Sequence, residues 1–197
     1  FGTFDTYSRE LSDGTGDIFP WIQPEGRVLW YAENTMDTEG GSSNGNSFAL
    51  MKDTETNQFH IYKFYAYSNA YKRAYYAVNS SLAIGINDAK LFAFSSKRSM
   101  FLYAVGKTLY AYDYNKGYEK LYKMELDDEI TMLKFDIQSN TMYNDLYIAT
   151  YNSTTGGTLQ KYVLGTDQNK FELTPDERCR WTDLVKVKDM DWRNSTK

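Results

Sequence analysis

The chain has 197 residues, a formal net charge of −4, 17% aromatic residues and 18 tyrosines. Acids and bases are interspersed, which argues against the basic stripe of a nucleic-acid surface; the nearest basic clusters are Lys97 with Arg98 and Lys72 with Arg73. No run reaches the ~18 apolar residues of a membrane helix. The single Cys179 and single His60 provide neither an internal disulfide nor a Cys-rich zinc site.

Residues 1–26 (FGTFDTYSRELSDGTGDIFPWIQPEG) read as an irregular lead-in, punctuated by Gly, Asp and two prolines. Within it, Asp13-Gly14-Thr15-Gly16-Asp17 offers Asp13 and Asp17 as weak calcium ligands, because oxygen donors on a Gly-rich turn suit a hard cation. The acids an EF-hand loop requires are missing from that spacing, so a plain turn is the simpler reading. Trp21, beside two prolines, is a candidate for an exposed binding rim.

Residues 27–78 form a first candidate β unit. RVLWYAE (27–33) is its first strand, and the Gly/Ser/Asn-rich stretch up to Asn46 is a solvated loop. A hairpin follows around DTETN, and YKRAYYAV (71–78) completes the unit. Two further units follow, Ala89–Met124 and Ile130–Leu173. The second has strands at Leu91–Ser95, Met100–Val105, Thr108–Tyr114 and Glu119–Lys123, with Gly106 at a tight turn. Phe94 and Phe135, Tyr103 and Tyr147, and Leu109 and Leu159 hold matching places in the two units. Pro175–Arg180 is the one candidate helical turn, with Thr174 as cap and Pro at the first helical position. Leu184–Trp192 (LVKVKDMDW) resembles the opening strands of the earlier units and is expected to start a further unit or close a ring.

A period of roughly 40–50 residues with about four short strands per unit is the signature of β-propeller blades. Strands apolar on both faces, such as LFAF, FLYAV and LYIAT, fit blades covered on each side. The expected fold is therefore all-β and β-propeller-like over 27–197, with blades 27–78, 89–124 and 130–173 and a closing strand 184–192. That amounts to about three and a half blades, where a ring needs roughly 4–8, so the chain is expected to be a fragment of a larger propeller.

The runs MLKFD (132–136), NDLYIATYNSTTGGTLQKY (144–162), LVKVKDMDWRN (184–194) and FAFSSKRSMFLYAVGKTLYAYD (92–113) resemble the C-terminal region of PKD-like family lipoproteins of Bacteroidetes. The resemblance covers most of the chain from about Phe48. It implies a propeller-like half of a cell-surface, outer-membrane lipoprotein, with Ig-like domains and the lipid anchor upstream, near a nutrient-uptake system. Cys179 has no lipobox around it and is not that anchor. The motifs are structural strands, so the resemblance carries no catalytic residues over.

Candidate chemistry is sparse. His60, in QFHIYKF, is the only imidazole base available to a Ser or Cys triad, and no GxSxG accompanies it; a strand histidine is the plainer reading. Paired carboxylates for glycoside cleavage would have to come from Asp127, Asp128 and Glu129, or from Asp189 and Asp191. A solvated loop is the plainer reading of 127–129, and a solvated edge or pairing with Lys186 or Lys188 is the plainer reading of Asp189 and Asp191, which share one strand face. Residues 154–158 (TTGGT) lack the lysine of a phosphate loop and read as a hairpin tip. The Tyr-rich stretch Tyr62, Tyr65, Tyr67, Tyr71, Tyr75 and Tyr76 is the main binding feature, since flat rings stack on sugar faces; packing between blades is its structural explanation. Tyr67 and Tyr71 flank the Ser68-Asn69-Ala70 turn and are the expected ligand contacts, with Trp21.

The function expected is non-enzymatic: a surface module, without cofactor, that binds a glycan or an outer-membrane protein partner. The alternatives are a glycoside hydrolase or lyase on a propeller scaffold, and a structural spacer. Exposed blade edges also make self-association an expectation.

Overall fold

The computed structural model describes residues 10–12, 18–20, 27–36, 45–53, 55–67, 70–95, 100–114, 119–135, 145–165, 167 and 170–190; of these, 10–12, 18–20, 27–36, 45–49, 62–67, 70–76 and 95 are described by backbone alone. The chain divides into two units, Phe1–Ser80 and Ser81–Lys197. Both are built from antiparallel strands, and the one described helix is a short 3-10 turn, Ile86–Asp88.

In the first unit, β1 (Glu10–Ser12) and β2 (Ile18–Pro20) form a two-stranded ribbon with Ser12 opposite Ile18. The lead-in expected to be irregular therefore contains a hairpin. Sheet I follows as a meander: β3 (Arg27–Met36), β4 (Gly45–Lys52), β5 (Phe59–Tyr67) and β6 (Ala70–Ala77), in that order. The turn between β4 and β5 is set by Asp53. Its carboxylate accepts from the Glu55 and Thr56 amides at 2.8 and 2.7 Å, and Asn57 takes the left-handed conformation that asparagine tolerates, φ 57°.

The second unit holds two more meanders. Sheet II consists of β7 (Leu91–Ser95), β8 (Met100–Val105), β9 (Thr108–Asp113) and β10 (Lys120–Glu125). Sheet III consists of β11 (Glu129–Phe135), β12 (Asp145–Asn152), β13 (Gly156–Leu164) and β14 (Leu173–Leu184). Gly106 makes the β8–β9 turn at φ 59°.

Sheet III differs from the expectation in three places. It extends to Leu184 instead of stopping at Leu173, because Leu173 begins its last strand and does not end it. Pro175–Arg180 is not a helical turn but part of β14. Pro175 is tolerated because β14 lies at the sheet's edge, where a missing N–H breaks no inner ladder. The residues after it bulge outward: the ladder pairs Gln160 with Arg180 and Tyr162 with Pro175, so Lys161 faces residues 176–179. The buried Gln160 amide donates to the carbonyls of Asp176 at 2.8 Å and Cys179 at 3.4 Å, which satisfies the bulge internally. Finally, the closing strand expected at 184–192 is not a strand over 185–190. Leu184 ends β14, and the chain then crosses the face of sheet III, held by side chains instead of a ladder.

Sheets II and III stack face to face. Ala93, Met100, Leu102, Ala104, Leu109 and Ala111 of sheet II meet Ile130, Leu133, Phe135, Leu146, Ile148 and Leu164 of sheet III in one apolar cluster. The chain enters sheet III over the β8–β9 turn, where the Leu126 and Ile130 amides donate to Lys107 and Gly106 carbonyls at 3.0 and 2.9 Å. β11 then lies against β7. The opposite face of sheet II is aromatic and buried: Phe101 lies 5.2 Å from Tyr112, and Tyr103 stacks on Tyr110 at 5.0 Å.

The registers reveal a repeat finer than the sequence matches. In sheet II one cross-strand row reads Leu91, Ala104, Leu109, Met124. In sheet III the corresponding row reads Met132, Ala149, Leu159, Trp181. Sheet I contains the row Tyr31, Ala49, Tyr62, Tyr75, again with alanine on the second strand. Leu109 and Leu159 correspond as expected, and so do Phe94 and Phe135, each three residues beyond its strand's member of the row, Leu91 and Met132. Tyr103 corresponds to Ile148, not to Tyr147. A one-residue slip exchanges the two faces of a strand.

Candidate functional site

Sheet III turns one face to sheet II. Alternation along its strands places Met132, Tyr147, Ala149, Tyr151, Leu159, Lys161, Val163 and Trp181 on the other face. Met132 and Ala149, at its centre, are buried, whereas Trp181 and Val163 keep 45% and 38% of their surface exposed.

The polar centre of this face is Lys161. Its Nζ lies 3.0 Å from the Asp145 carboxylate and 3.6 Å from that of Asp176, and all three side chains are largely covered. The β14 bulge is what carries Asp176 into reach. The hydrogen bond to Asp145 raises the Lys161 ammonium above its ordinary range. Asp176 also accepts from the Arg178 guanidinium, Nε at 3.0 Å and Nη2 at 3.2 Å, and this pairing holds its carboxyl down at about 2. Lys161 and Asp176 are therefore both charged at neutral pH, an arrangement suited to fixed electrostatics instead of proton transfer.

The crossing segment brings a second set of charges. Lys186 approaches the Glu129 carboxylate at 3.4 Å and sits 5.5 Å above the Tyr151 ring. The Thr131 hydroxyl donates to the Val187 carbonyl at 2.6 Å. Lys134 donates to Asp189 at 3.0 Å and to the Met190 carbonyl. That contact, with the Met190 amide, holds the Asp189 carboxyl below its usual range.

The acids considered for glycoside cleavage are thus dispersed. Asp127 is exposed, Asp128 accepts from the Asn152 amide at 2.7 Å, Glu129 pairs with Lys186, and Asp189 pairs with Lys134. Asp191 lies outside the described residues. His60 is a buried strand residue of β5, opposite Met51 and Ala77. Burial pushes its imidazole down, against a smaller opposing pull from Asp53. Cys179 is a free, half-buried thiol in the β14 bulge.

Tyr67 and Tyr71 stand at the end of sheet I, beside the β5–β6 turn. Tyr67 pairs with Ala70 and Tyr71 with Ala66, which are successive register positions. Trp21, Asp13 and Asp17 lie outside the described residues. Among the described residues, no group of three or more His, Cys, Asp or Glu is placed to hold a metal ion. No described helix is long and apolar enough to cross a membrane.

Sequence reading missed Asp145, Lys161, Asp176 and Trp181. The first two lie on the polar phase of apolar strands, a visible but unused signal. Asp176 and Trp181 were hidden because the helical reading of Pro175–Arg180 concealed the strand that carries them.

No protein-family model matches the chain, and no curated protein matches it.

Proposed function

We propose that the chain is a run of β-propeller blades that serves as a non-enzymatic binding module at a cell surface, taking a glycan or a protein partner of an outer-membrane uptake system. One observation carries the propeller reading. The outermost strand of sheet II hands the chain to β11, which lies against β7, the first strand of sheet II. Stepping from the outer strand of one four-stranded meander to the inner strand of the next is how propeller blades succeed one another. The stretch 185–190 repeats the step, running from β14 to the side of β11.

Blades stacked in this way present their turns as a rim, where binding residues are carried. The β5–β6 turn is such a place, and its tyrosines supply rings for sugar stacking and hydroxyls for the wet edge. The surface location and the uptake context come from the resemblance to PKD-like lipoproteins. The largely paired charges around Lys161, Lys186 and Lys134 favour static recognition over acid–base chemistry.

The test is a glycan array followed by calorimetry, with Tyr67→Ala and Tyr71→Ala made separately and together. Binding that is lost in the variants while the far-UV spectrum is unchanged supports a carbohydrate rim. Turnover of a glycan by the parent chain, abolished by Asp189→Asn or Glu129→Gln, would overturn the non-enzymatic reading.

A further inference from the structure

The two sheets of the second unit have an edge strand at each end, and three of these edges are occupied or guarded. β11 lies against β7, the first strand of sheet II. Residues 185–190 run along β11, tied to Thr131 and Lys134. β14 carries Pro175 and the bulge opposite Lys161, two devices that keep a further strand from adding to an edge. β10 has neither. All of its residues from Lys120 to Glu125 pair with β9 in unbroken register, and among the described residues it forms a ladder with β9 alone. In a regular edge strand, alternate residues turn their backbone N–H and C=O groups away from the one neighbour, so β10 is a template for another strand.

We infer that a second copy of the chain adds its own β10 to this edge, antiparallel, about a two-fold axis at Leu121, so that sheet II runs on from one copy into the other. This needs sheet II alone and goes beyond the binding function proposed above. The side chains of β10 select both the occupant and the register. Directly opposed residues of antiparallel strands share a sheet face, so a two-fold axis sets odd positions against odd and even against even. Centred on Leu121, it sets the two leucines against each other, Lys123 against the partner's Glu119, and Lys120 against the partner's Tyr122. Glu119, Lys120 and Lys123 are exposed, and Leu121 and Tyr122 are half-buried. Lys123 already meets Glu125 at 2.8 Å, but its side chain stays 52% exposed, which leaves the ammonium donors for a second carboxylate. Lys120 sits 4.7 Å above the Tyr122 ring of its own chain, so lysine–tyrosine attraction is available on this face. Neighbouring registers fail. An axis at Lys120 or Lys123 sets two lysines against each other, and an axis at Tyr122 sets Glu119 against the partner's Glu125. One strand thus carries both halves of a matched contact, which is what a two-fold interface requires; a strand of another protein would have to bring that pattern with it. So short a contact is far below the area of a standard interface, so the dimer dissociates on dilution.

Light scattering coupled to gel filtration, over a concentration series reaching roughly 1 mM, reads the association. The parent chain is expected to pass from monomer to dimer within it. Lys123→Glu and Glu119→Lys should each weaken the dimer about tenfold, because the two-fold axis turns two attractive pairs into two repulsive ones. The two substitutions together restore opposite charges across the axis and should restore the dimer. Lys188→Glu makes the same charge change at an exposed site away from β10 and should leave the dimer intact. Melting should be unchanged in all four variants, since every substituted side chain is exposed. A chain that stays monomeric throughout the series overturns the inference, and so does a dimer that ignores the single charge swaps or is not restored by the double one. A dimer lost in Trp181→Glu but kept in Lys123→Glu would place the contact on the far face of sheet III, and overturns it as well.

Discussion

Met124 and Trp181 hold one position in two successive sheets. Met124 pairs with Leu109 on the last strand of sheet II, and Trp181 pairs with Leu159 on the last strand of sheet III. Met124 packs against the core between the sheets, while Trp181 is 45% exposed. Position within the sheet is the same and environment is not, so burial here is decided by what stacks on the face.

The paired leucines turn that contrast into a measurement. Leu109 is fully buried between the sheets, and Leu159 is only half-buried. Leu109→Ala should cost about 3 kcal/mol, from lost transfer energy plus a cavity that close packing cannot fill. Leu159→Ala should cost about 1 kcal/mol under conditions where the chain is monomeric. Urea unfolding of both variants checks the difference; equal losses would mean that the far face of sheet III is closed as well.

Tyr103 fastens the segment that precedes sheet II. It is fully buried, and its hydroxyl donates to the Ile84 carbonyl at 2.7 Å. Burial pushes the phenol well above its ordinary range, so it remains a donor at any physiological pH. Tyr103→Phe keeps the ring stacked on Tyr110 and removes only the hydroxyl. The expected loss is about 1–2 kcal/mol, from the hydrogen bond and a carbonyl left without this donor. Hydrogen exchange should show amides of residues 83–89 opening before those of β8.

Much of this architecture was legible in the sequence, for a physical reason. Strands such as FLYAV and LYAYD are apolar on both phases because sheet II is covered on both faces, and Gly106 marks a tight turn that needs a positive φ. The sequence was a poorer guide where partners lie far along the chain. Pro175 with neighbouring acids resembles a helix start locally, but pairing with β13 and the Gln160 amide keep it in a strand. Lys161 reads as an ordinary surface lysine until the bulge brings Asp176 beside it. Leu184–Trp192 looks like a strand by composition, yet over 185–190 it is held by the side chains of Thr131 and Lys134. Such outcomes depend on tertiary contacts that local propensity does not encode.

Two glycines should respond to substitution for opposite reasons. A Cβ at Gly157 would lie 2.6 Å from the Val185 carbonyl oxygen and 2.9 Å from that of Leu184, both backbone atoms. Gly157→Ala must therefore push the crossing segment away from β13. Gly106 has open space around its missing Cβ but a φ of 59°, so Gly106→Ala should cost only about 1 kcal/mol of backbone strain. Thermal melting ranks the two, and Gly157→Ala should be the more damaging; it should also loosen residues 185–190 in hydrogen exchange.

Acid should act on sheet III through Asp176. The Arg178 guanidinium holds its folded-state carboxyl at about 2, against an ordinary 3.8. A depressed carboxylate contributes its stability above the unfolded value and loses it as the pH falls through the folded one. Stability from this group should therefore be constant above about pH 4 and decline between about pH 4 and pH 2. Carbon-detected NMR titration of the Asp176 carboxyl checks the midpoint directly. In Arg178→Ala that midpoint should move up toward the ordinary value, with Lys161 still supplying a weaker pull. An unmoved midpoint would assign the depression to the Arg178 amide, which the substitution keeps, and to Lys161 instead.

The crossing segment gives the last prediction, because its attachment is unlike that of any strand beside it. Residues 185–190 have no ladder with β11; Thr131 and Lys134 hold the Val187 and Met190 carbonyls, and Lys134 also pairs with Asp189. A segment held by a few side-chain contacts opens locally without unfolding the sheets. Thr131→Val removes one donor at nearly constant volume, and Lys134→Met removes the other while keeping the aliphatic stem over the sheet. Together they should speed tryptic cleavage at Lys186 and Lys188 roughly tenfold, as expected for about 1.4 kcal/mol of lost local stability. The melting temperature should change little, because the apolar cluster between sheets II and III is untouched. If cleavage rises only in step with global unfolding, the segment is part of the core of sheet III. If it rises alone, its attachment is local, and Thr131 and Lys134 are what place it beside β11.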